Sequence, residues 1–180
     1  DGPDDAHEDA TFRRSRAHDY VAREVAAVRT NVGTTEIANF AKHEFTGRDA
    51  RAFLDHLLAG HIPKPGRLAL TPMLTQKGKL YGDLTVACLD DERFYLFGSG
   101  VAQNMHRRWF ETHLQEFAGD VRYVNQSDNW HGMAISGPKS RILLQRLMRE
   151  DVGPDALKFR DVRHAFVGGV PALLLRVSFS

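Results

Sequence analysis

Apolar side chains recur with helical spacing in four segments of the chain, and each segment predicts a helix. The clearest helix begins at Ala50 and is followed by Gly60, a residue suited to a C-cap. Its apolar stripe consists of Ala50, Phe53, Leu54, Leu57 and Leu58. The other helices are predicted over 17–30, 102–117 and 140–148. The apolar residues expected on one side are Tyr20, Val21, Val25 and Val28 in the first of these, and Met105, Trp109 and Phe110 in the second.

Short apolar runs separated by polar turns change the period in the middle third of the chain and predict β-strands. Three of these runs cover 68–74, 80–89 and 94–98, and the turn candidates between them are 76–79 and 90–93. Further strands are predicted over 36–45, 121–125, 133–136 and 170–179. Antiparallel strands interleaved with helices indicate an α+β fold, with antiparallel sheets and packed helices.

The composition is that of a globular protein with one domain: the chain has 180 residues, of which 42% are hydrophobic and 26% charged. Residues 1–11 are acidic and poor in large apolar groups, so we expect a flexible tail or linker there and the domain over 12–180. The net charge of +1 does not favour nucleic acid as a partner, and no apolar run approaches the roughly 20 residues that cross a bilayer. We therefore expect neither a nucleic-acid-binding protein nor a membrane protein.

The sequence does not contain the motifs of several common cofactor sites. Its nine histidines are scattered, and pairs such as His106 and His113 have no third ligand nearby, so we expect surface histidines and no metal site. No glycine-rich dinucleotide motif follows a strand, so a bound flavin would need another domain. Cys88 is the single cysteine, and its apolar strand predicts a buried, inert thiol.

One carboxylate interrupts an apolar strand. Asp83 lies within the run LYGDLTV, where neither β-propensity nor burial favours an acidic residue. It is either on a solvent face or at a hairpin end, or it is held on a rigid strand at a cleft, beside the small Gly82 that lets a ligand approach the backbone. A carboxylate in the second position could accept a proton or stabilise a cation.

The segment around Asp83 resembles a motif of the aminomethyltransferase family, which includes the glycine cleavage system T protein. Residues 78–86, GKLYGDLTV, resemble the family segment G-G-x-x-x-D-L-x-V. Upstream, VGTTEIANF at 32–40 resembles V-x-x-x-D-V-S-H-M, and downstream ISGPKS at 135–140 resembles the turn x-Q-G-P-x-A. The resemblance covers about 12–180 and implies the N-terminal portion of the folate-binding fold of that family.

Within the family, the closer likeness is to the folate-binding part of dimethylglycine and sarcosine dehydrogenases. It rests on four segments: FRRS at 12–15, PMLTQKGK at 72–79, FGSG at 97–100 and RRWF at 107–110. In those enzymes a separate FAD domain oxidises an N-methyl amine, and tetrahydrofolate captures the resulting iminium carbon as 5,10-methylenetetrahydrofolate. The resemblance thus implies tetrahydrofolate as the ligand here, with FAD only in another domain of the parent polypeptide.

The resemblance also implies roles for individual residues. Asp83 matches the family aspartate near N10 of folate, which accepts a proton or stabilises the iminium. Phe40 falls where the family packs an apolar side chain on the pteridine ring. The remaining residues that the resemblance implies at the folate site are Leu70, Tyr81, Thr85, Phe97 and Ser99.

The chain departs from the family pattern at several positions. Ser99 stands where the T protein has asparagine, and Leu70 stands where a related oxidase has a tyrosine. The sequence ends at Ser180, before the family run G-E-x-G-x-E, whose first glutamate recognises the pteridine, and before the C-terminal barrel. We therefore expect a half-built site, completed by the remaining domains of the parent polypeptide.

The resemblance leaves three kinds of protein open. The first is the tetrahydrofolate-binding portion of a dimethylglycine or sarcosine dehydrogenase-like enzyme. In that case the isolated chain need not have the activity of the whole enzyme. The second is a T protein-like aminomethyltransferase or a non-catalytic folate-binding domain. The third is a folate-dependent demethylase without flavin. The compartment expected for each is the cytoplasm, or the mitochondrial matrix in a eukaryote.

Overall fold

A computed structural model describes residues 11–178 of the chain, so the tail predicted over 1–11 lies outside the described residues apart from Thr11. The helices of the described part are α1 His18–Thr30, α2 Ala50–Leu57, α3 Gln103–Glu116 and α4 Ser140–Leu147. Its strands are β1 Gly33–Glu36, β2 Ala41–Thr46, β3 Arg67–Leu74, β4 Leu80–Asp90, β5 Arg93–Gly98, β6 Arg122–Asn125, β7 Met133–Ser136, β8 Val162–Val167 and β9 Val170–Leu175. No helix between residues 11 and 178 is long and apolar enough to cross a membrane.

The centre of the fold is a five-stranded sheet in the order β3-β4-β5-β2-β6, in which the neighbours are antiparallel. Two smaller antiparallel sheets, β1-β7 and β8-β9, lie outside it. This arrangement confirms the α+β class and the three antiparallel strands predicted over the middle third. The four predicted helices are confirmed as well, within one or two residues at most ends.

One face of the central sheet carries the main core. Because side chains alternate along a strand, β4 presents Leu84, Val86 and Cys88 to the same side. These side chains pack with α2 and with Phe110 of α3. The stripe of α2 enters this core as its spacing predicts: Ala50, Phe53, Leu54 and Leu57 are all buried. We refer to this side of the sheet as the helix face.

The opposite side, which we call the outer face, is covered at one end only. Its covering residues come from the β8-β9 hairpin and from Trp130, and they pack on Leu68, Ala87 and Tyr95. At the other end, the outer face is open: the side chain of Leu70 is 69% exposed. The hairpin therefore divides the outer face into a buried half and an accessible half.

Several predicted element boundaries were wrong, each because of tertiary pairing. The strand expected over 36–45 is interrupted by a turn, since β1 pairs with β7 whereas β2 belongs to the central sheet. The strand expected over 170–179 ends at Leu175, and its partner β8 was missed. The sequence contained a signal for the missed hairpin, because the pair Gly168-Gly169 is typical of a two-residue hairpin turn. Both residues adopt the positive φ that such a turn requires.

Two predictions about side chains also require correction. Gly60 is not a C-cap, because α2 ends at Leu57 and its C-cap is Leu58, whose backbone is extended. A Cβ at Gly60 would lie 2.8 Å from the side chain of Thr71. Among the predicted apolar residues of α3, Phe110 is buried and Trp109 half-buried, but Met105 is exposed and His106 is buried in its place.

Candidate functional site

Most of the residues that the resemblance implies for folate lie together on the outer face, where Leu70 is at the open end and Phe97 packs against the covered end. The register places Leu70 of β3 opposite Thr85 of β4, Thr85 opposite Phe97 of β5, and Phe97 opposite Lys42 of β2. Directly paired residues of antiparallel strands share a face, so these four side chains form one row across four strands. Asp83 pairs with Pro72 in the next row of β4 and β3 and lies on the same face as Thr85.

The Asp83 side chain is exposed. The sequence left two positions open for Asp83, a solvent face and a cleft. In the structure, Asp83 lies on a solvent-accessible face of the sheet and not in a closed cleft. The residues of its face are mainly apolar, and two strands of the sheet hold its backbone in register with Pro72. A carboxylate there is accessible to a ligand that lies on the open half of the outer face.

Phe40 and Ser99 lie at the edge of this surface, next to its last paired residues. The β2-β5 pairing ends at Ala41 and Gly98, and Phe40 and Ser99 are the adjoining residues of the two strands. Both are exposed, and the Phe40 ring is 47% accessible. Gly100, which follows Ser99, is in close contact with the turn before Phe40. A Cβ at Gly100 would lie 1.8 Å from the Asn39 carbonyl oxygen.

Tyr81 lies apart from the other implied folate residues. Leu80 pairs with Leu74 and Gly82 with Met73, so Tyr81 is the extra residue of a β-bulge. The Tyr81 side chain packs against the helix-face core, and its ring stacks on Trp109 of α3 with centroids 4.3 Å apart. The structure therefore brings Asp83, Leu70, Thr85, Phe97, Phe40 and Ser99 to one surface and leaves Tyr81 on the other side of the sheet.

A pair of buried histidines lies behind Asp83, on the helix face. The His106 ring covers Gly82 and Gly98, and its Nε2 would lie 2.4 Å from a Cβ at Gly82. His43 lies beside it with ring centroids 6.3 Å apart, and Nδ1 of His43 is 2.9 Å from the hydroxyl of Tyr123. The prediction that the histidines are surface groups was wrong for these two, and scattered sequence positions gave no signal of their proximity.

The burial of the two rings determines their charge. Desolvation, with a further effect of the nearby His106, lowers the pKa of His43 to about 4. Desolvation also lowers the pKa of His106, although the negative charge of Asp83 opposes this change. Three ring nitrogens, His43 Nε2 and both nitrogens of His106, are buried without a hydrogen-bond partner among the described residues. Both rings are therefore neutral at pH 7.

Lys42 is a further buried polar residue that the sequence analysis missed. It is the last member of the row that contains Thr85 and Phe97, and it is only 4% exposed. Its Nζ donates hydrogen bonds to the carbonyl oxygens of Ala38 and Phe40, at 2.8 and 2.7 Å. No sequence pattern marked its burial, because the next residues of β2, His43 and Glu44, are polar as well.

The structure agrees with the prediction for Cys88. Its thiol is buried on the helix face, and desolvation raises its pKa despite the neighbouring Arg51 guanidinium, so the thiolate is disfavoured. Within residues 11–178, no group of three or more possible ligands is placed to hold a metal ion. Asp83 is an exposed titratable group on the open surface, and Lys42 is buried at its edge.

Comparison with known proteins identifies the family to which the chain belongs. The family model described as the GCVT N-terminal domain matches residues 6–180, and the chain belongs to this family. This finding confirms the resemblance that the motifs around Asp83 suggested.

Individual relatives agree with the family assignment. The chain is 32% identical over 170 residues to the mitochondrial dimethylglycine dehydrogenase of Homo sapiens, covering 94% of this chain and 20% of that protein. It is 30% identical over 163 residues to the aminomethyltransferase of Bacillus subtilis, covering 89% of this chain and 44% of the relative. The chain thus spans a fifth of the dehydrogenase and less than half of the aminomethyltransferase.

Solved structures share the fold. The glycine cleavage system aminomethyltransferase T from Bartonella henselae superposes with a TM-score of 0.69 at 19% identity, over 79% of this chain and 38% of that chain. The heterotetrameric sarcosine oxidase from Corynebacterium sp. U-96 superposes with a TM-score of 0.65 at 17% identity, over 94% of this chain and 84% of that chain. At these identities the similarity establishes the antiparallel α+β architecture.

Proposed function

We propose that the chain is the tetrahydrofolate-binding portion of an enzyme like dimethylglycine or sarcosine dehydrogenase. The observation that carries the proposal is the convergence of Asp83 with Thr85, Leu70 and Phe97 on one accessible face. An aromatic pteridine suits the apolar part of this surface, where Phe40 and Leu70 are exposed. The 32% identity to a dimethylglycine dehydrogenase supports the assignment to this branch of the family.

The proposed chemistry is the transfer of one carbon to nitrogen. An iminium carbon, produced by oxidation of an N-methyl amine in a flavin domain elsewhere in the enzyme, is attacked by a nitrogen of tetrahydrofolate. The new C–N bond forms as the C=N π pair returns to the amine nitrogen, and the attacking nitrogen loses its proton. Asp83 accepts that proton and passes it to the amine nitrogen. The second folate nitrogen then bonds to the carbon as the C–N bond to the neutral amine breaks, and the proton of that second nitrogen is lost to the released amine. General-base catalysis of this kind contributes about 10²–10⁴-fold.

The direct test uses the longer enzyme that contains this domain and follows the fate of the one-carbon unit. Iminium that is not captured by folate hydrolyses to formaldehyde. We expect Asp83→Asn to leave amine oxidation unchanged and to shift the product from methylenetetrahydrofolate to formaldehyde. The matched control is Asp55→Asn, an exposed carboxylate on α2. Unchanged product partition in the Asp83 variant would instead favour a non-catalytic folate-binding domain.

Calorimetric titration of the 180-residue chain with tetrahydrofolate tests the binding half of the proposal. We expect saturable binding, and a melting temperature of Asp83→Asn equal to that of the wild type, because the carboxylate is exposed. Absence of binding by both this chain and the longer enzyme would exclude the proposal.

A second candidate is a T protein-like aminomethyltransferase, which the 30% identity to the Bacillus subtilis enzyme favours. In that case the carbon arrives as an aminomethyl group on a carrier, and its transfer to tetrahydrofolate releases ammonia. Release of ammonia rather than a methylated amine by the longer enzyme would identify this alternative.

A further inference from the structure

Lys42 presents an unusual environment for an ammonium group. The residue is almost fully buried, and no carboxylate of residues 11–178 forms an ion pair with it. Desolvation lowers the pKa of its amine, and the charge of Asp128 only partly opposes this effect. A buried cation without a paired anion is costly, so its retention calls for a specific role.

The hydrogen bonds of Lys42 indicate that role. Nζ donates to the carbonyl oxygens of Ala38 and Phe40, which belong to the turn between β1 and β2. Lysine has three N–H donors, and two of them are used to bind this single turn. The ammonium therefore ties the turn that carries Phe40 to the central sheet.

Lys42 is itself held firmly. Its backbone N–H donates to Oγ of Ser127 at 2.9 Å, and its carbonyl oxygen accepts from the backbone N–H of Gln126 at 2.8 Å. Ser127 in turn donates from Oγ to Oδ1 of Asn125 at 2.7 Å. The lysine thus links a fixed strand to a turn whose end residue, Phe40, is exposed at the open surface.

From this arrangement we infer that Lys42 is a positioning residue for ligand binding, which acts by holding the Ala38–Phe40 turn so that the Phe40 ring stays in place at the edge of the open surface. The inference rests on the proposed function in so far as the ligand is tetrahydrofolate. Preorganised side chains bind more tightly because less conformational freedom is lost on binding.

The first experiment measures the turn without any ligand. In Lys42→Met, hydrogen exchange at the amides of residues 37–41 should become faster than in the wild type, while the amides of β4 and β5 keep their protection. Lys42→Arg retains donors and should preserve the slow exchange. The control Lys64→Met changes an exposed lysine in a loop and should have no effect. Equal exchange of residues 37–41 in wild type and Lys42→Met would overturn the inference.

The second experiment measures binding of tetrahydrofolate in a double-mutant cycle with Phe40→Ala. We expect Lys42→Met to weaken binding by about fivefold to tenfold, the effect of about one lost hydrogen bond. In the Phe40→Ala background the same change should weaken binding by less than about twofold, because Lys42 then has no ring to position. Additive effects would contradict a role through Phe40. If Lys42→Met does not fold, Lys42→Gln replaces it in both experiments.

The two experiments separate the inference from the proposed function. Failure of the wild-type chain and of the longer enzyme to bind tetrahydrofolate would reject the proposed function, and the exchange experiment would still decide whether Lys42 holds the turn. Binding by the wild type with an unchanged affinity of Lys42→Met would reject the inference alone.

Discussion

At the scale of single residues, position 82 requires glycine because the His106 ring packs against it from the opposite side of the sheet to Asp83. A Cβ at Gly82 would lie 2.4 Å from Nε2 of His106 and 3.3 Å from the methyl group of Met73. The imidazole therefore packs directly on the backbone of β4, next to the residue that carries the exposed carboxylate. Gly82, which the sequence analysis associated with ligand approach, thus makes room for a histidine of the helix face.

We predict that Gly82→Ala destabilises the protein by about 1–3 kcal/mol, the usual cost of overpacking a core. The measurement is chemical denaturation of wild type and variant. The His106→Ala variant supplies the control, because it removes the ring that the new methyl group would meet. The double variant should lose less stability than the sum of the two single changes, and simple additivity would contradict the contact.

The buried histidines predict how stability depends on pH. Their pKa values in the folded protein are below the usual 6.5, that of His43 being about 4, so the unfolded chain binds more protons between these values. Stability should therefore be constant above about pH 7 and fall as the pH decreases from 6.5 towards 4. For His43 alone the loss reaches about 3 kcal/mol.

Urea denaturation at pH 8, 6.5, 5 and 4 tests this pH dependence. The variant His43→Gln does not titrate and should have a smaller slope between pH 6.5 and 5, whereas His56→Gln, at an exposed position, should keep the wild-type slope. Glu44 contributes only at lower pH: burial would raise its pKa, but hydrogen bonds from Gln126 and Arg93 hold it below 4.5. A flat profile from pH 8 to 5 would contradict the neutral, buried state of the histidines.

At the scale of elements, the stripe of α2 provides the helix packing on the central sheet. We predict that Leu54→Ala, which opens a cavity at a fully buried position, lowers the free energy of unfolding by about 2–5 kcal/mol. The adjacent Asp55→Ala lies on the exposed side of the same helix and should change it by less than about 0.5 kcal/mol. Equal effects of the two substitutions would contradict the orientation of the helix.

The same elements explain which boundaries could be predicted from the sequence. The stripe of α2 and the alternation in β4 are local patterns, and both elements were predicted within a residue. The β-forming residues of the segment 36–45 are Ile37, Phe40 and Phe45, which lie on both sides of the break. Its two ends pair in different sheets, so the spacing of these residues does not mark the turn at 37–40. The bulge at Tyr81 likewise depends on tertiary pairing, because it arises where Leu80 pairs with Leu74. Alternation alone would have placed the Tyr81 ring on the same face as Asp83.

At the scale of the whole molecule, burial is concentrated in the central sheet with α2 and α3. No residue of α1 or of α4 is buried, and Tyr20, Val21 and Val25 of α1 are each more than two-fifths exposed. α1 contacts β1 of the two-stranded β1-β7 sheet, and Leu144 of α4 packs with residues of the two-stranded β8-β9 hairpin. Sheets of two strands are marginal by themselves.

We predict from this distribution that the molecule opens in parts. Native-state hydrogen exchange should give lower opening free energies for the amides of α1 and α4 than for those of β4 and β5, whose residues occupy the main core. Exchange from all four elements with the same free energy would indicate a single cooperative unit instead.

The sequence by itself determined the helices, most strands, the α+β class and the family, because these depend on the periodicity of neighbouring residues and on short motifs such as the one around Asp83. Tertiary structure alone decided what lies on each side of the sheet. Strand register brought Leu70, Thr85, Phe97 and Lys42 from four strands into one row. It also moved Tyr81 to the other face and buried His43 beside His106, because contacts between residues distant in sequence follow from pairing and packing.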